Sequence, residues 1–348
     1  MIVIYILIVI ISISCLHFTY RGYRKDYLSI ESTNAIKGIF ILLVLVKHAT
    51  PYITSANYHY DQWGDTLFLK VDSVVGQWIV ALFLFYSGYG IMESIKNKGE
   101  KYISTIPKKR LLNVLVNFDV AVLFYILLIF FVNNREWLSW DIYLLSFIGW
   151  ESIGNSNWYI FIILLAYVIT YIIYKHKFFY QNKEIGVLFC NAILFTTMII
   201  LSHYKESWWY NTMLCYGAGL TFSIYKTQIE KLLKSHYFLV FAFSSILLIL
   251  LWSYPFDFHG LRHNLLSIII STITIILSMK ICINNKVLIW LGKHLFPIYI
   301  YQRIPMIIFS TIGNGILIRT APLLYMISCI IFTLLIAHYY KYWRISIK

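Results

Sequence analysis

NAIKGIFILLVLVKHATPYI, residues 34–53, places a lysine and a histidine inside an aliphatic run long enough to cross a bilayer, for which about 20 mostly apolar residues suffice. Ionisable groups in such a run are costly, so each is a functional candidate. At 100° per residue, Lys37 and His48 return to one face after three turns and about 20°, roughly 17 Å apart along the axis. Lys47 lies about 100° from His48 and falls on another face. Taken alone, Lys37 also reads as a helix-end lysine snorkelling to the interface, and His48 as a hydrogen-bonded bundle histidine.

The rest of the chain has the same character. Of its 348 residues 60% are hydrophobic and 13% charged, with mean hydropathy +0.71. A soluble domain carries about 45–50% apolar and about 25% charged residues. The composition excludes a soluble enzyme, a disordered chain and a disulfide scaffold. Cys15, Cys190, Cys215, Cys282 and Cys329 stand in apolar stretches without paired spacing, as packing residues do. The expected fold is an all-α, polytopic transmembrane helix bundle. Eleven apolar runs predict its spans: 2–19, 36–53, 74–95, 111–132, 157–174, 185–202, 208–225, 237–254, 264–283, 287–309 and 321–340. The first run lacks a small-residue cleavage site and reads as a retained span.

The formal net charge is +14. In a membrane chain that excess marks cytoplasmic loops rather than nucleic-acid binding. Basic residues gather in alternate connections: Arg21, Arg24 and Lys25; Lys96, Lys98, Lys101, Lys108, Lys109 and Arg110; Lys175, Lys177 and Lys183; Lys226, Lys231 and Lys234; Lys280 and Lys286; Lys341, Arg344 and Lys348. The opposite connections hold Lys70, Arg135, Lys205, Arg262 and Arg319 and most acids, among them Asp61, Asp65, Asp72, Glu151 and Asp257. This alternation predicts an outside N-terminus and a cytoplasmic C-terminus. Trp158, Tyr159, Trp208, Trp209 and Tyr210 open two spans and read as interfacial belt residues.

Other intramembrane polar groups are Glu93, Asp119 and Arg303, with Lys293 and His294 towards the inner third of their span. Asn113, Asn117 and Asp119 predict one inward polar face. Tyr86, Ser87, Gly88 and Gly90 combine small and polar residues, as close helix contacts do. Pro297 and Pro305 interrupt WLGKHLFPIYIYQRIPMIIF, residues 290–309, predicting a broken helix against protein or a polar cavity. His259 and His263 have metal-ligand spacing on a helix, but no third ligand accompanies them, and no metal site is expected. Walker, GxSxG and dinucleotide motifs are absent.

Several segments together resemble the integral-membrane acyltransferase-3 family, bacterial O-acyltransferases that include polysaccharide O-acetyltransferases. KGIFILLVLVKH (37–48) is similar to the family's opening span, with Lys37 at the position of an arginine and His48 at the histidine. LFLFYSGYGI (82–91), with Ser87 and Gly88, resembles its second span. STIPKKRLLNV (104–114), ending its basic cluster on Arg110, resembles the following loop. Trp158 and Tyr159 match an aromatic pair opening a middle span. LGKHLFPIYIYQR (291–303) matches a late motif, with Tyr299 and with Gln302 where many relatives have histidine. The resemblance runs over about residues 30–340 and divides the chain into an extra N-terminal span and basic loop, 1–30, and a membrane acyltransferase domain, 31–348.

The resemblance implies an inner-membrane, multi-pass enzyme. It would move an acyl group, acetyl first, from cytoplasmic acyl-CoA to a hydroxyl of an exported or cell-surface polysaccharide or lipid-linked sugar. Acyl-CoA is then a co-substrate, with no permanently bound cofactor; membrane lipids are the other partner, and nucleic acid is not one. Lys37, Lys108, Lys109 and Arg110 would hold the CoA phosphates. His48 would act as general base or transient acyl carrier, oriented by Asp119. Ser87, Trp158, Tyr159, Tyr299, Gln302 and Arg303 would bind substrate, Gln302 or Arg303 also serving the oxyanion. Two other classes remain open on the residues alone: a polysaccharide or small-molecule transporter or flippase, against which the halves show no visible symmetry, and an accessory subunit of a glycan export complex.

Overall fold

The computed structural model describes residues 1–132, 136–254 and 256–347; Arg135 and Lys348 lie outside the described residues. The chain is an all-α bundle. Its helices are α1 Val3–Ile13, α2 Ile30–Ser55, α3 Asp65–Val74, α4 Trp78–Lys98, α5 Glu100–Ile103, α6 Asn113–Val132, α7 Trp140–Phe147, α8 Trp158–Lys175, α9 Lys177–Gln181, α10 Lys183–Tyr204, α11 Leu214–Ile224, α12 Lys226–Ser235, α13 Tyr237–Ser253, α14 Leu261–Ser278, α15 Lys286–Lys293, α16 Leu295–Tyr301, α17 Arg303–Thr311, α18 Ile316–Thr320 and α19 Pro322–Tyr339. A π-helical turn, Pro107–Leu112, leads into α6. Two three-residue strands, β1 Leu16–Phe18 and β2 Ile281–Ile283, pair antiparallel with His17 opposite Cys282.

Among the described residues, seven helical stretches are long and apolar enough to cross a membrane, and up to eight if α12 and α13, bent by 101°, count as one span. The protein is thus a multi-pass membrane protein. The other three runs expected as spans are built from shorter pieces. The run over 2–19 is the 11-residue α1, whose length of about 16 Å covers half of a hydrocarbon core, followed by β1. The run over 208–225 yields the 11-residue α11 after an irregular turn. The run over 287–309 is divided into α15, α16 and α17. Proline explains the last case. Pro297 and Pro305 have no N–H for the carbonyls of Lys293 and Tyr301, and the helix breaks nearby, at His294 and Gln302.

Glycines set how closely the central helices approach. A Cβ at Gly38 in α2 would collide with the Leu288 carbonyl, and one at Gly292 in α15 with the Asn34 carbonyl. Likewise, Gly88 in α4 faces the Tyr216 carbonyl and Gly219 in α11 faces that of Phe85. Each pair is reciprocal, so two backbones touch where packing without a hydrophobic drive between helices needs small residues. The expected close-packing role of Gly88 is met; Gly90 has open space at its Cα. Ser29 caps α2, its hydroxyl accepting from Ser32 N at 3.2 Å, and Glu31 lies in the first turn. These features fix α2, with its lysine and histidine, against α15 and its broken continuation.

Candidate active site

His48 lies two turns before the end of α2, half-buried, with Nδ1 3.4 Å from the Ser156 hydroxyl and its ring edge-on to Tyr299 at 6.2 Å. Tyr299 also meets Tyr159 at 5.1 Å, so Tyr159, Tyr299 and His48 form a line of rings from α8 through α16 to α2. The break after α16 brings Gln302 and Arg303 to the same level, and both act on the His48 ring as polar and charged neighbours. Gln302 Nε2 donates to the Tyr299 carbonyl at 2.9 Å. Its Oε1, the Tyr299 hydroxyl and Arg303 Nε are buried without a hydrogen-bond partner among the described residues. Native interiors satisfy most such groups, so this concentration beside one histidine makes the place a candidate ligand site.

A cavity of about 730 Å³ opens on His48 and Arg303, lined also by Lys47, Gln77, Trp150, Glu151, Asn155, Ser156, Trp158, Lys205, Glu206, Trp208 and Trp209. Its lysines are matched by carboxylates. Lys47 Nζ lies 2.7 Å from Asp72 Oδ2, and Lys205 Nζ lies 2.9 Å from Glu151 Oε1 while standing over the Trp150 ring. Arg303 has no carboxylate partner among the described residues. A guanidinium held that way in the bundle is costly unless something anionic shares the site at some stage.

On the other side of the ring line, a cavity of about 520 Å³ is lined by Ser87, Lys109, Arg110, Asn113, Asn117, Tyr159, Tyr167, Lys293, His294, His338, Lys341 and Arg344. No carboxylate is in this lining. A second hollow of about 550 Å³, lined by Lys98, Lys101, Tyr102, Thr105, Lys109 and Arg110, shares Lys109 and Arg110 with it. The π-helical turn after Pro107 presents Lys109 and Arg110 to both; such turns recur at functional sites. Arg110 Nε donates to the Tyr102 hydroxyl at 3.2 Å, leaving its terminal nitrogens for the cavity. Ser87 and Tyr159 both line this cavity, and Tyr159 reaches His48 through the ring of Tyr299.

The expected residues are thus sorted into two chambers. His48, Trp158 and Arg303 line one; Ser87, Lys109, Arg110 and Tyr159 line the other; Tyr299 and Gln302 stand at the boundary. Lys108 points to the exterior and lines neither. Lys37 is half-buried without a hydrogen bond or ion pair among the described residues and does not line the basic cavity.

Asp119 does not meet His48: the imidazole's partner is Ser156, and Asp119 Oδ1 is buried without one. The single polar face expected over Asn113, Asn117 and Asp119 is also not formed. Asn113 and Asn117 line the basic cavity one turn apart, whereas two residues on from Asn117 is a rotation of about 200°, which carries Asp119 away. The aromatic belt reading fails for Tyr159 and Trp209, which are 6% and 5% exposed, and for Trp158, which faces the His48 cavity.

Residues not singled out from the sequence are Ser156, Lys205, His338, Lys341 and Arg344, whereas Lys293 and His294, noted there only as intramembrane polar groups, line the basic cavity. His259 takes the Ser202 hydroxyl and His263 lies 3.8 Å from Asp257; among the described residues no group of three potential ligands could hold a metal.

A family model described as an acyltransferase domain matches residues 30–340. The comparison with curated proteins gave no match. The comparison with solved structures gave none either.

Proposed function

This chain belongs to the acyltransferase-3 family and is a membrane acyltransferase; from that premise we propose that it transfers an acyl group, acetyl first, from acyl-CoA to a hydroxyl of an exported or cell-surface polysaccharide or lipid-linked sugar. The single observation that carries the reading is the pairing of chambers: one lined by cations without a carboxylate, the other by a histidine and an unpaired arginine, with Tyr159 and Tyr299 between them. The acid-free chamber suits the polyphosphate of CoA, and arginine's fork suits phosphate oxygens. We place that end in the cytoplasm, where Lys and Arg excess belongs, and the His48 chamber towards the outside of an inner membrane. The tryptophans Trp150, Trp158, Trp208 and Trp209 and the amides of Gln77 and Asn155 then face a sugar. Acyl-CoA is a co-substrate; no permanently bound cofactor is required.

The mechanism follows from the same geometry. The pantetheine arm passes the ring line and brings the thioester carbonyl to His48. The imidazole takes the proton of the acceptor hydroxyl as its oxygen attacks that carbonyl. Arg303 carries the negative charge that develops on the carbonyl oxygen, and buried preorganised charge is effective there. The C–S bond breaks, the thiolate leaves, and the imidazolium returns the proton to it, giving an ester and free CoA. Ser156 orients the ring through Nδ1, the role expected of Asp119. Domain-wise, residues 31–348 do the chemistry and 1–30 are an N-terminal addition. Membranes carrying the protein should transfer label from radioactive acetyl-CoA to an extracted glycan acceptor, and His48→Ala membranes should not. Undiminished transfer by the variant overturns the assignment.

A further inference from the structure

We propose that the segment over residues 340–345 belongs to the donor site, with Lys341 and Arg344 binding donor phosphates and Asn117 holding the segment in place. This rests on the reading of the basic cavity as the acyl-CoA site, and it adds residues from a part of the chain that lies beyond the matched family region, which ends at 340.

After α19 the chain turns under α6 instead of running off. Asn117 grips one residue by both its backbone groups: Nδ2 donates to the Ile345 carbonyl at 2.8 Å, and Oδ1 accepts from Ile345 N at 3.1 Å. The same Oδ1 accepts from the Tyr340 hydroxyl at 2.8 Å. Trp343 Nε1 donates to the Tyr301 hydroxyl at 3.2 Å, and Arg344 N closes the turn on the Tyr340 carbonyl at 3.0 Å. Asn117 is 2% and Tyr340 7% exposed, so the clamp is sealed. It spends a buried amide on main-chain atoms, which fixes where the segment lies whatever its side chains are. What it holds in place is Lys341 and Arg344, both exposed to the basic cavity and without a carboxylate partner among the described residues. A polyanion entering this cavity would meet Lys109 and Arg110 from the π-helical turn and Lys341 and Arg344 from this segment.

The test uses the full chain in detergent or nanodiscs, with coenzyme A as the binding probe and acetyl-CoA in the kinetic assay. K341Q/R344Q changes only exposed side chains, so the fold is kept. It should raise the CoA Kd and the acetyl-CoA KM by about tenfold or more, with kcat and the acceptor KM nearly unchanged, since charge-assisted phosphate contacts act on binding. N117A should raise the same KM and make the chain cleavable by trypsin after Lys341, with CoA no longer protecting it. K109Q/R110Q is measured alongside. If that pair raises Kd and KM while K341Q/R344Q leaves both at wild-type values, the role of this segment is overturned and the donor-site reading stands. If neither pair has an effect, the donor-site reading itself falls and takes this inference with it. If N117A releases the segment to trypsin with KM unchanged, the positioning role of Asn117 is overturned.

Discussion

Lys109, Arg110, Lys293, Lys341 and Arg344 face one cavity with no carboxylate in its lining, whereas around His48 the two lysines are already matched, Lys47 by Asp72 and Lys205 by Glu151. In the first chamber charge is left free over a wide wall. In the second both lysines are paired, Glu206 adds a further carboxylate to the lining, and Arg303 stands beside the imidazole. The difference says what each chamber is prepared to hold. A wall of unpaired cations suits a polyanion whose charge is present from the start. A tryptophan-rich chamber whose lysines are already paired, with one guanidinium beside the imidazole that has no carboxylate partner among the described residues, suits an uncharged substrate and a charge that exists only during reaction.

The largest effects should come from the groups at the reacting atoms. His48→Ala should lower kcat by about 10²- to 10⁴-fold, the usual contribution of a positioned base, with little change in the acetyl-CoA KM. Rates of labelled acetyl transfer at saturating donor measure this. An equal loss expressed in KM would break the division between chambers. Arg303→Gln comes next, with about 10²- to 10³-fold lost from kcat if the guanidinium carries the oxyanion. A rise in donor KM instead would place Arg303 with the phosphate-binding groups and erase the contrast.

Much of this division was legible before the fold was known, and the rest failed for identifiable reasons. Lys37 and His48 on one helix, Arg303 at the same depth, and Lys109 with Arg110 in a basic loop are all visible as polar residues where apolar ones are expected. The broken helix was readable from Pro297 and Pro305. Lys341 and Arg344 were visible only as topology signals, because their place in the cavity depends on Asn117, more than two hundred residues away in sequence. Asp119 looked like a partner for His48 because depth can be estimated along a helix, but rotation relative to a second helix cannot. Trp158 and Tyr159 read as a pair in the sequence, yet as successive residues of α8 they point about 100° apart and serve different cavities. The short α1 and α11 show the same limit: hydropathy reports that a run is apolar, not where its helix stops. The need for glycine at 38 and 292 is visible only as a reciprocal contact between two helices.

The basic chamber offers a milder but more diagnostic test. K109Q/R110Q should raise the acetyl-CoA KM by about tenfold while leaving kcat within a few-fold of wild type. The wild-type KM should also rise with added salt, because the wall is open to solvent and its attraction is screened over about 10 Å at 0.1 M. The acceptor KM should respond to neither change. A salt dependence of both KM values would mean that the acceptor is charged too.

Lys205 should give the smallest effect. Lys205 lies in the same chamber as Arg303 and carries the same charge, but it is tied to Glu151 at 2.9 Å, donates to the Trp150 carbonyl at 2.8 Å, and rests over the Trp150 and Trp209 rings. Its charge is therefore committed to the protein. An ion pair with the carboxylate 40% exposed is worth about 1 kcal/mol or less after solvent screening, which corresponds to no more than about fivefold in any constant. Lys205→Gln keeps a hydrogen-bond donor near Trp150 and should fall within that range in kcat, donor KM and acceptor KM. Arg303→Gln removes one positive charge from the same chamber, and only there should the loss be large. If the two substitutions cost the same, it is total positive charge in the chamber that matters and not whether a cation is paired, and the unpaired guanidinium loses its claim to the oxyanion.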